Sequence, residues 1–343
     1  MKAKLYGYGG AGLLLLAFSV VVSLSLGSAG MSLHDVWGIL TSRLFGGAAD
    51  GWNEGQEAIV LQIRLPRVML AILIGAALAL AGAGFQGVLR NPLADPFTLG
   101  VASGCSVGAA FLILFGYQTL VGIWTLPVVA FVTGIVALAG VLALARTKGA
   151  MGLETLILSG VVIESFLGSL VSFMVSLSQG VVNQILFWLM GSIALKGWSE
   201  VYLVIPFIAV GLPLLLAFAQ PLNLFVLGER HAAHLGVRVE RTKLIVLAAS
   251  TLLTAAAVSV AGVIGFVGLV VPHLIRLIAG PDYRLIIPLS AIGGGIFVLW
   301  ADTLARIALS PREIQLGVVT AFIGAPFFAY LLYRRKAVKG GTT

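Results

Sequence analysis

Glu164 is the residue of this chain whose position most strongly indicates a function. It lies well inside an apolar segment, residues 154–176, that is long enough to cross a membrane. A charged carboxylate is costly to bury in lipid, so an ionisable residue at such depth usually faces the interior of a helix bundle or a water-filled cavity. Two interpretations follow. Glu164 faces water inside the protein, or it is a protonated or hydrogen-bonded glutamate at a contact between helices.

Glu229, His231 and His234 have a spacing that could bind a metal ion. Three such residues on one exposed helix are more often ordinary polar surface, so we expect no metal site there. The sequence also lacks a His-Glu-x-x-His motif and a glycine-rich loop ending in Gly-Lys-Ser or Gly-Lys-Thr, which would bind nucleotide phosphates. We therefore expect a protein that is not an enzyme, holds no cofactor and does not hydrolyse ATP by itself.

Apolar residues dominate the chain so strongly that lipid must be its solvent. Of its 343 residues, 59% are hydrophobic and 10% are charged, a composition that no soluble core could bury. A helix of about 20 apolar residues can cross a bilayer while satisfying its own backbone hydrogen bonds. We predict an all-α, polytopic membrane protein, one domain over residues 1–343 with about ten transmembrane helices. The predicted spans are 9–29, 66–89, 97–116, 126–145, 154–176, 200–219, 243–263, 266–279, 285–308 and 317–333.

Basic residues fall mostly on one side of this predicted threading. An even number of spans places both termini on the same side, and most of the Lys and Arg residues lie there too. The positive-inside rule therefore predicts that both termini are cytoplasmic. The same asymmetry explains the net charge of +8, so we expect no binding to nucleic acid.

Two stretches interrupt the helical pattern. Residues 90–96 contain two prolines, which predicts a tight return of the chain on the cytoplasmic side. In the second half, glycines and a proline separate the seventh span from a short eighth one. An Ala-Gly pair precedes a proline by the same step in both halves, which indicates an inverted internal repeat, although Gly and Pro are frequent in membrane helices generally. These residues are Ala81, Gly82 and Pro92, and Ala261, Gly262 and Pro272.

Several ordered motifs resemble the permease subunit of ABC importers for iron-siderophores, haem and cobalamin. The first half carries Arg64-Leu65-Pro66-Arg67, Gly75-Ala76-Ala77-Leu78-Ala79, Gln86-Gly87 and Asn91-Pro92-Leu93-Ala94-Asp95-Pro96. The second half carries Gly265-Phe266-Val267-Gly268-Leu269-Val270-Val271-Pro272-His273, Asp302 with Arg306, Gly317-Val318-Val319-Thr320-Ala321 and Gly324-Ala325-Pro326-Phe327-Phe328. The motifs are in register and span essentially the whole chain.

The resemblance implies the partners of the chain. Two permease copies, a homodimer or a pair of related chains, would surround a central pathway in the bacterial inner membrane. Two cytoplasmic ATP-binding subunits and one periplasmic substrate-binding protein would complete the importer. The family lines its pathway with the fifth and tenth helices, so Glu164 is expected to face the pathway.

The resemblance also implies a role for three arginines. Arginines that match Arg64, Arg67 and Arg306 contact acidic residues on the two lobes of the binding protein, a task that suits the planar guanidinium group. Arg64 and Arg67 could instead extend to the lipid headgroups. Arg306 could instead be neutralised by Asp302, which lies one helical turn earlier.

A polar interval, residues 221–243, matches the pair of short coupling helices that fit a groove of the ATPase in this family. Leu227-Gly228-Glu229 and Leu235-Gly236-Val237 carry the match. A compact amphipathic element with glycine turns can transmit a rigid push, whereas a solvated linker would need neither the aliphatic residues nor the glycines. The predicted coupling residues are Leu224, Leu227, Gly228, Glu229, Leu235 and Gly236.

A second class of transporter fits part of the same pattern. An ion-coupled secondary transporter of a small solute would also show ten spans and an inverted repeat. It would ordinarily need buried acids or histidines to bind the coupling ion, and this sequence offers mainly Glu164. We therefore favour the ATP-driven importer of a metal chelate.

Overall fold

A computed structural model of the chain describes residues 2–27, 31–45, 52–147 and 150–340. Helices make up most of these residues, which confirms the predicted all-α class. A π-helical turn, Ile59–Arg64, joins α3 to α4, a 3₁₀ turn, Pro96–Leu99, precedes α5, and a two-residue hairpin of β1 (Arg146–Thr147) and β2 (Ala150–Met151) joins α6 to α7. The α-helices are α1 (Lys2–Ser25), α2 (Leu33–Phe45), α3 (Glu54–Ala58), α4 (Leu65–Leu89), α5 (Val101–Phe115), α6 (Thr125–Ala145), α7 (Leu153–Leu177), α8 (Val182–Leu189), α9 (Trp198–Ala217), α10 (Ala219–Phe225), α11 (Glu229–His234), α12 (Val239–Ala261), α13 (Val267–Ala279), α14 (Tyr283–Ile307) and α15 (Leu316–Gly340).

Each predicted span corresponds to one apolar helix. Seven helices in the described ranges are long and apolar enough to cross a bilayer, counting Glu54–Leu89 as one. The other three predicted spans correspond to the shorter apolar helices Val101–Phe115, Val267–Ala279 and Leu316–Leu331. All ten are long or apolar enough to be candidates for crossing a membrane, while the number of crossings and the side of the termini stay predictions.

The helix α4 lies at the centre of the fold. In its most apolar window 83% of the residues are buried, against 17% in the corresponding window of α7. The helix α14 packs along α4, and α9, α12 and α13 cover its other sides. Peripheral helices such as α7 therefore leave a broad face for lipid, for another protein chain or for a pathway.

Glycine allows α4 to touch its neighbours backbone to backbone. A Cβ atom added at Gly75 would overlap the carbonyl oxygen of Gly294 in α14, and one added at Gly82 would overlap the carbonyl oxygen of Gly268 in α13. Small residues at helix contacts permit this approach in membrane proteins. The central helix is therefore fixed against α13 and α14 at two separate levels.

The predicted helix break at residues 90–96 is confirmed. The helix α4 ends at Leu89, and Arg90 takes a left-handed conformation with φ of 50°. The 3₁₀ turn then packs Pro96 against Gly268 and places Thr98 against Gly160 in α7. The chain thus folds back between α13 and the middle of α7 before α5 begins.

The two stretches that indicated an inverted repeat differ in local structure. Ala81 and Gly82 lie inside α4, whereas Ala261 ends α12 and Gly262 takes a left-handed conformation with φ of 71°. The break between the seventh and eighth spans is present between α12 and α13. The repeated spacing therefore does not mark the same structural feature in the two halves, and the inverted repeat stays a prediction.

Candidate functional site

Arg67 joins two acidic residues at one end of α4. Its Nε and Nη2 atoms donate to Asp302 at 2.9–3.1 Å, and its Nη1 and Nη2 atoms donate to Glu313 at 2.9 Å. The Asp302 side chain is 1% exposed, whereas the Glu313 side chain is 40% exposed. Arg67 is therefore shared between a carboxylate in the core and a carboxylate at the surface.

Arg64 and Arg306 bind the end of α1. Arg64 Nη1 donates to the carbonyl oxygen of Leu24 at 2.8 Å, and Arg306 Nη1 donates to that of Leu26 at 3.2 Å. The last carbonyl groups of a helix have no partner within it and attract cations. Arg306 also forms an ion pair with Asp302 at 3.1 Å, so the local alternative for this arginine is present.

We call this group of residues the arginine cluster. The structure brings Arg64, Arg67 and Arg306 together at one end of the fold, and within the described residues each of them already binds atoms of its own chain. Contact between the three arginines and a binding protein stays a prediction. The cluster consists of Arg64, Arg67, Asp302, Arg306 and Glu313.

The predicted coupling interval folds as two short helices, α10 and α11, near the other end of α4. Gly228 and Gly236 take left-handed conformations, with φ of 99° and 87°, which favour glycine and make the turns that precede and follow α11. Leu227 is 60% exposed, and Val226 and Leu235 are exposed to a similar extent. Leu224, in contrast, packs against the core. Val226, Leu227 and Leu235 form an exposed apolar patch, which we call the coupling patch.

Glu229, beside the coupling patch, binds the core. Its Oε2 atom lies 2.7 Å from Nζ of Lys243, a side chain that is 2% exposed, and its Oε1 atom accepts a hydrogen bond from Arg90 at 3.2 Å. Lys243 also pairs with Glu240 at 3.3 Å. The first residue of α11 is thus bonded to the start of α12 and to the residue that follows α4.

A second link joins the coupling interval to α14. Asn223 Nδ2 donates to Asp282 Oδ1 at 2.7 Å, and Tyr283 N donates to Asn223 Oδ1 at 2.8 Å. Hydrogen bonds from the side chain of Arg284 lower the pKa of Asp282 from its usual value to about 2, so this carboxylate is ionised at neutral pH. Together with Glu229, this link fixes α10 and α11 to three helices of the core.

Glu164 lies on the exposed face of α7, close to the midpoint of the helix. Four serines, Ser165, Ser169, Ser172 and Ser176, are also exposed and form one stripe, because they follow one another at steps of three or four residues; Glu164 lies about 100° around the helix from this stripe. Glu164 forms no ion pair within the described ranges. The uncovered side of α7 therefore carries Glu164 and the serines beside large apolar residues such as Phe166 and Phe173.

One motif that could indicate catalysis lies inside a helix. Gly104-Cys105-Ser106-Val107-Gly108 has the letters of the Gly-x-Ser-x-Gly hydrolase motif, which requires a turn between a strand and a helix. Here Ser106 lies inside α5, is buried and donates to the carbonyl oxygen of Ala102 at 2.8 Å. Among the described residues, no group of three or more His, Cys, Asp or Glu side chains could hold a metal ion.

Sequence reasoning missed four partners in these sites, Glu313, Arg90, Lys243 and Asn223. Glu313 and Arg90 are bonded to residues far away in the sequence, so no local spacing predicts the pairs. Lys243 offered a local signal, because Glu240 lies three residues earlier at the start of the same helix. The bond to Glu229 depends on how α11 folds back and has no such signal.

The arginine cluster and the coupling patch lie near opposite ends of α4. Arg67 and Arg90 are 23 positions apart along this helix, a rise of about 35 Å.

A family model described as the FecCD transport family matches residues 15–334. The chain belongs to this family.

Two curated relatives cover most of the FecCD chain described here. The ABC transporter permease protein YvrB of Bacillus subtilis (strain 168) is 43% identical over 326 residues, which cover 94% of this chain and 92% of YvrB. The cobalamin import system permease protein BtuC of Halobacterium salinarum is 43% identical over 300 residues, 88% of this chain and 80% of BtuC.

A solved structure agrees with the FecCD assignment. It is described as an inward-facing conformation of a metal-chelate type ABC transporter, and it superposes with a TM-score of 0.83 at 32% sequence identity. The match covers 97% of this chain and 100% of the other. The relatives of this FecCD protein are thus permease subunits of ABC importers, and their fold is the one found here.

Proposed function

We propose that this chain is the membrane-spanning subunit of an ATP-driven importer that moves a metal chelate, of the iron-siderophore, haem or cobalamin class, from a periplasmic binding protein into the cytoplasm. The observation that carries this proposal is the arrangement of two surfaces around one buried helix. The arginine cluster lies at one end of α4 and the coupling patch lies at the other. A subunit with this arrangement can transmit a conformational change of the ATP-binding subunits from one membrane face to the other.

The coupling patch is the contact for two ATP-binding subunits, one on each permease copy. Val226, Leu227 and Leu235 expose aliphatic side chains next to rigid glycine turns. Apolar anchors of this kind give a protein interface most of its binding energy when a partner pocket removes them from water. Glu229 and Asn223 hold the patch on the core, so a push on α11 moves α12, α14 and the end of α4 with it.

The exposed face of α7 lines the translocation pathway between two copies of the permease. Glu164 would be poorly placed against lipid, because hydrocarbon cannot solvate a carboxylate. A water-filled pathway along this face of α7 would hydrate Glu164, and the side chains of this face could form hydrogen bonds with the chelate as it passes. The importer then lies in the bacterial inner membrane with both termini in the cytoplasm.

Reconstitution into liposomes tests this function. The permease, together with its ATP-binding subunits and its binding protein, should accumulate a metal chelate only when ATP is supplied. Accumulation by the permease alone, driven by a proton or sodium gradient, would favour the ion-coupled transporter instead. Glu164 is the feature that this alternative would use, since it is an intramembrane acid.

A further inference from the structure

We infer that an acidic side chain of the substrate-binding protein replaces Glu313 on Arg67 when the binding protein docks. This inference rests on the proposed function, because it requires a binding protein that docks at the arginine cluster. Arg67 makes two hydrogen bonds to Glu313, through Nη1 and Nη2, each 2.9 Å long. A second carboxylate of the same geometry would satisfy the same two donors.

The two carboxylates on Arg67 differ in how easily they can be replaced. Asp302 is almost fully buried and also pairs with Arg306, so removing it would leave two cations without a buried counter-charge. Glu313 is 40% exposed, so water competes with Arg67 for its carboxylate. Asp302 is therefore the permanent partner of Arg67, and Glu313 is the exchangeable one.

The exchange needs only a rotation of the Glu313 side chain. The backbone on both sides of this residue is fixed, because Arg312 N donates to Leu309 O at 2.9 Å and Ile314 N donates to Ala305 O at 3.0 Å. The next turn is also held, since Leu316 N donates to Gly191 O at 2.9 Å. A carboxylate from a partner can thus replace Glu313 without any refolding of the segment.

The other two arginines are less available to a partner. Arg64 and Arg306 are engaged at the end of α1, where they bind the carbonyl groups of Leu24 and Leu26. Withdrawing them would expose the end of α1, whose carbonyl groups need donors. Of the three arginines, Arg67 is the one with a hydrogen bond to an exposed carboxylate, so the exchange takes place at Arg67. Arg64 and Arg306 hold the surface in place around it.

Substitution of Glu313 by glutamine tests the exchange. Glu313→Gln removes the competing charge. The assembled permease–ATPase complex in nanodiscs should therefore bind its immobilised binding protein about two- to five-fold more tightly, the range of an exposed ion pair. Glu54→Gln is the matched control, because it removes the same charge from the same end of the molecule. Glu54 lies 13 positions before Arg67 on one continuous helix, about 20 Å away, which exceeds the screening length of about 8 Å.

Three results would overturn the inference. Weaker binding by Glu313→Gln would make Glu313 itself a contact of the binding protein. Equal affinity in the wild type and Glu313→Gln would show that no exchange occurs, and equal gains in Glu313→Gln and Glu54→Gln would assign the effect to net charge. The proposed function fails in a different way: the wild-type complex, with its ATPase attached, would then bind no binding protein at all.

Discussion

Glu229 Oε2 lies 2.7 Å from Lys243 Nζ, and this bond joins the first residue of α11 to a buried side chain of α12. The other oxygen of the same carboxylate accepts a hydrogen bond from Arg90, which follows the last residue of α4. One glutamate therefore holds α11 to two helices of the core. The exposed apolar side chains beside it remain free to meet a partner.

Glu229→Gln should loosen the connection between the ATPase and the core. The substitution removes the charge opposite buried Lys243, and weakening such a bond costs about 1–3 kcal/mol of unfolding free energy. ATPase attachment should persist because the coupling patch is unchanged, while the amount of chelate transported per ATP hydrolysed falls. Transport and hydrolysis measured together in proteoliposomes check this. Glu240→Gln, at a more exposed carboxylate of the same lysine, should have a smaller effect; a larger one would contradict the assignment.

Leu227→Arg should abolish association with the ATP-binding subunits. Leu227 is an exposed aliphatic residue of the coupling patch, and burying an unpaired guanidinium at a protein interface is unfavourable. Co-purification of the ATPase measures the result. Leu195→Arg introduces the same change at an exposed leucine close to the other end of α4, near Trp198, whose Nε1 donates to Leu61 O. Loss of ATPase binding in both variants would point to general damage rather than to a contact at Leu227.

Asp302→Asn should destabilise the protein far more than Glu313→Gln. Both substitutions remove a carboxylate from Arg67, but Asp302 is buried and is paired with Arg306 as well. Removing one partner of a buried ion pair costs about 3–5 kcal/mol, whereas an exposed pair contributes about 0–1 kcal/mol. Thermal unfolding in detergent gives the order of the two variants. Similar melting temperatures would mean that Asp302 is not the buried anchor of this cluster.

Gly75→Ala should separate α4 from α14. The added methyl group would overlap the carbonyl oxygen of Gly294, and such overpacking costs about 1–3 kcal/mol. Gly10→Ala is the matched control in α1, where nothing lies within 4 Å of the added atom. The control should be neutral or gain up to about 1 kcal/mol from helix propensity. Equal melting temperatures for Gly75→Ala and the wild type would disprove the tight contact.

Ser165→Cys should react with water-soluble thiosulfonate reagents in the assembled importer. Ser165 lies next to Glu164 on the exposed face of α7, which we place along the pathway. The wild type supplies a low background because its one cysteine, Cys105, is buried. Ser106→Cys, inside α5, should stay unreactive. An unreactive Ser165→Cys would place this face of α7 against lipid or another helix.

Apolar length predicted the membrane helices well where nothing polar extends them. The predicted span 126–145 is found as Thr125–Ala145, and 154–176 as Leu153–Leu177. The predicted span 66–89 belongs instead to a continuous helix that begins at Glu54. Hydropathy could not reveal this extension, because polar residues such as Glu54 and Glu57 are free to continue a helix beyond the lipid.

Local spacing predicted some of the site contacts and missed those made across the fold. The pair of Asp302 and Arg306 follows from a separation of four residues on one helix. The bond between Asp302 and Arg67 joins residues 235 positions apart, and it exists because α4 and α14 meet closely at Gly75 and Gly294. The direction of Glu229 was also invisible, since the polar interval could present either side of α11 to the core.

The glycine contacts of α4 constrain how the protein can move. With backbone against backbone at Gly75 and Gly82, α4 cannot slide or rotate relative to α13 and α14 without steric collision. These three helices therefore move together as one rigid body. Motion within this chain is thus easier between this body and the loosely covered outer helices, α7 among them, than inside the body.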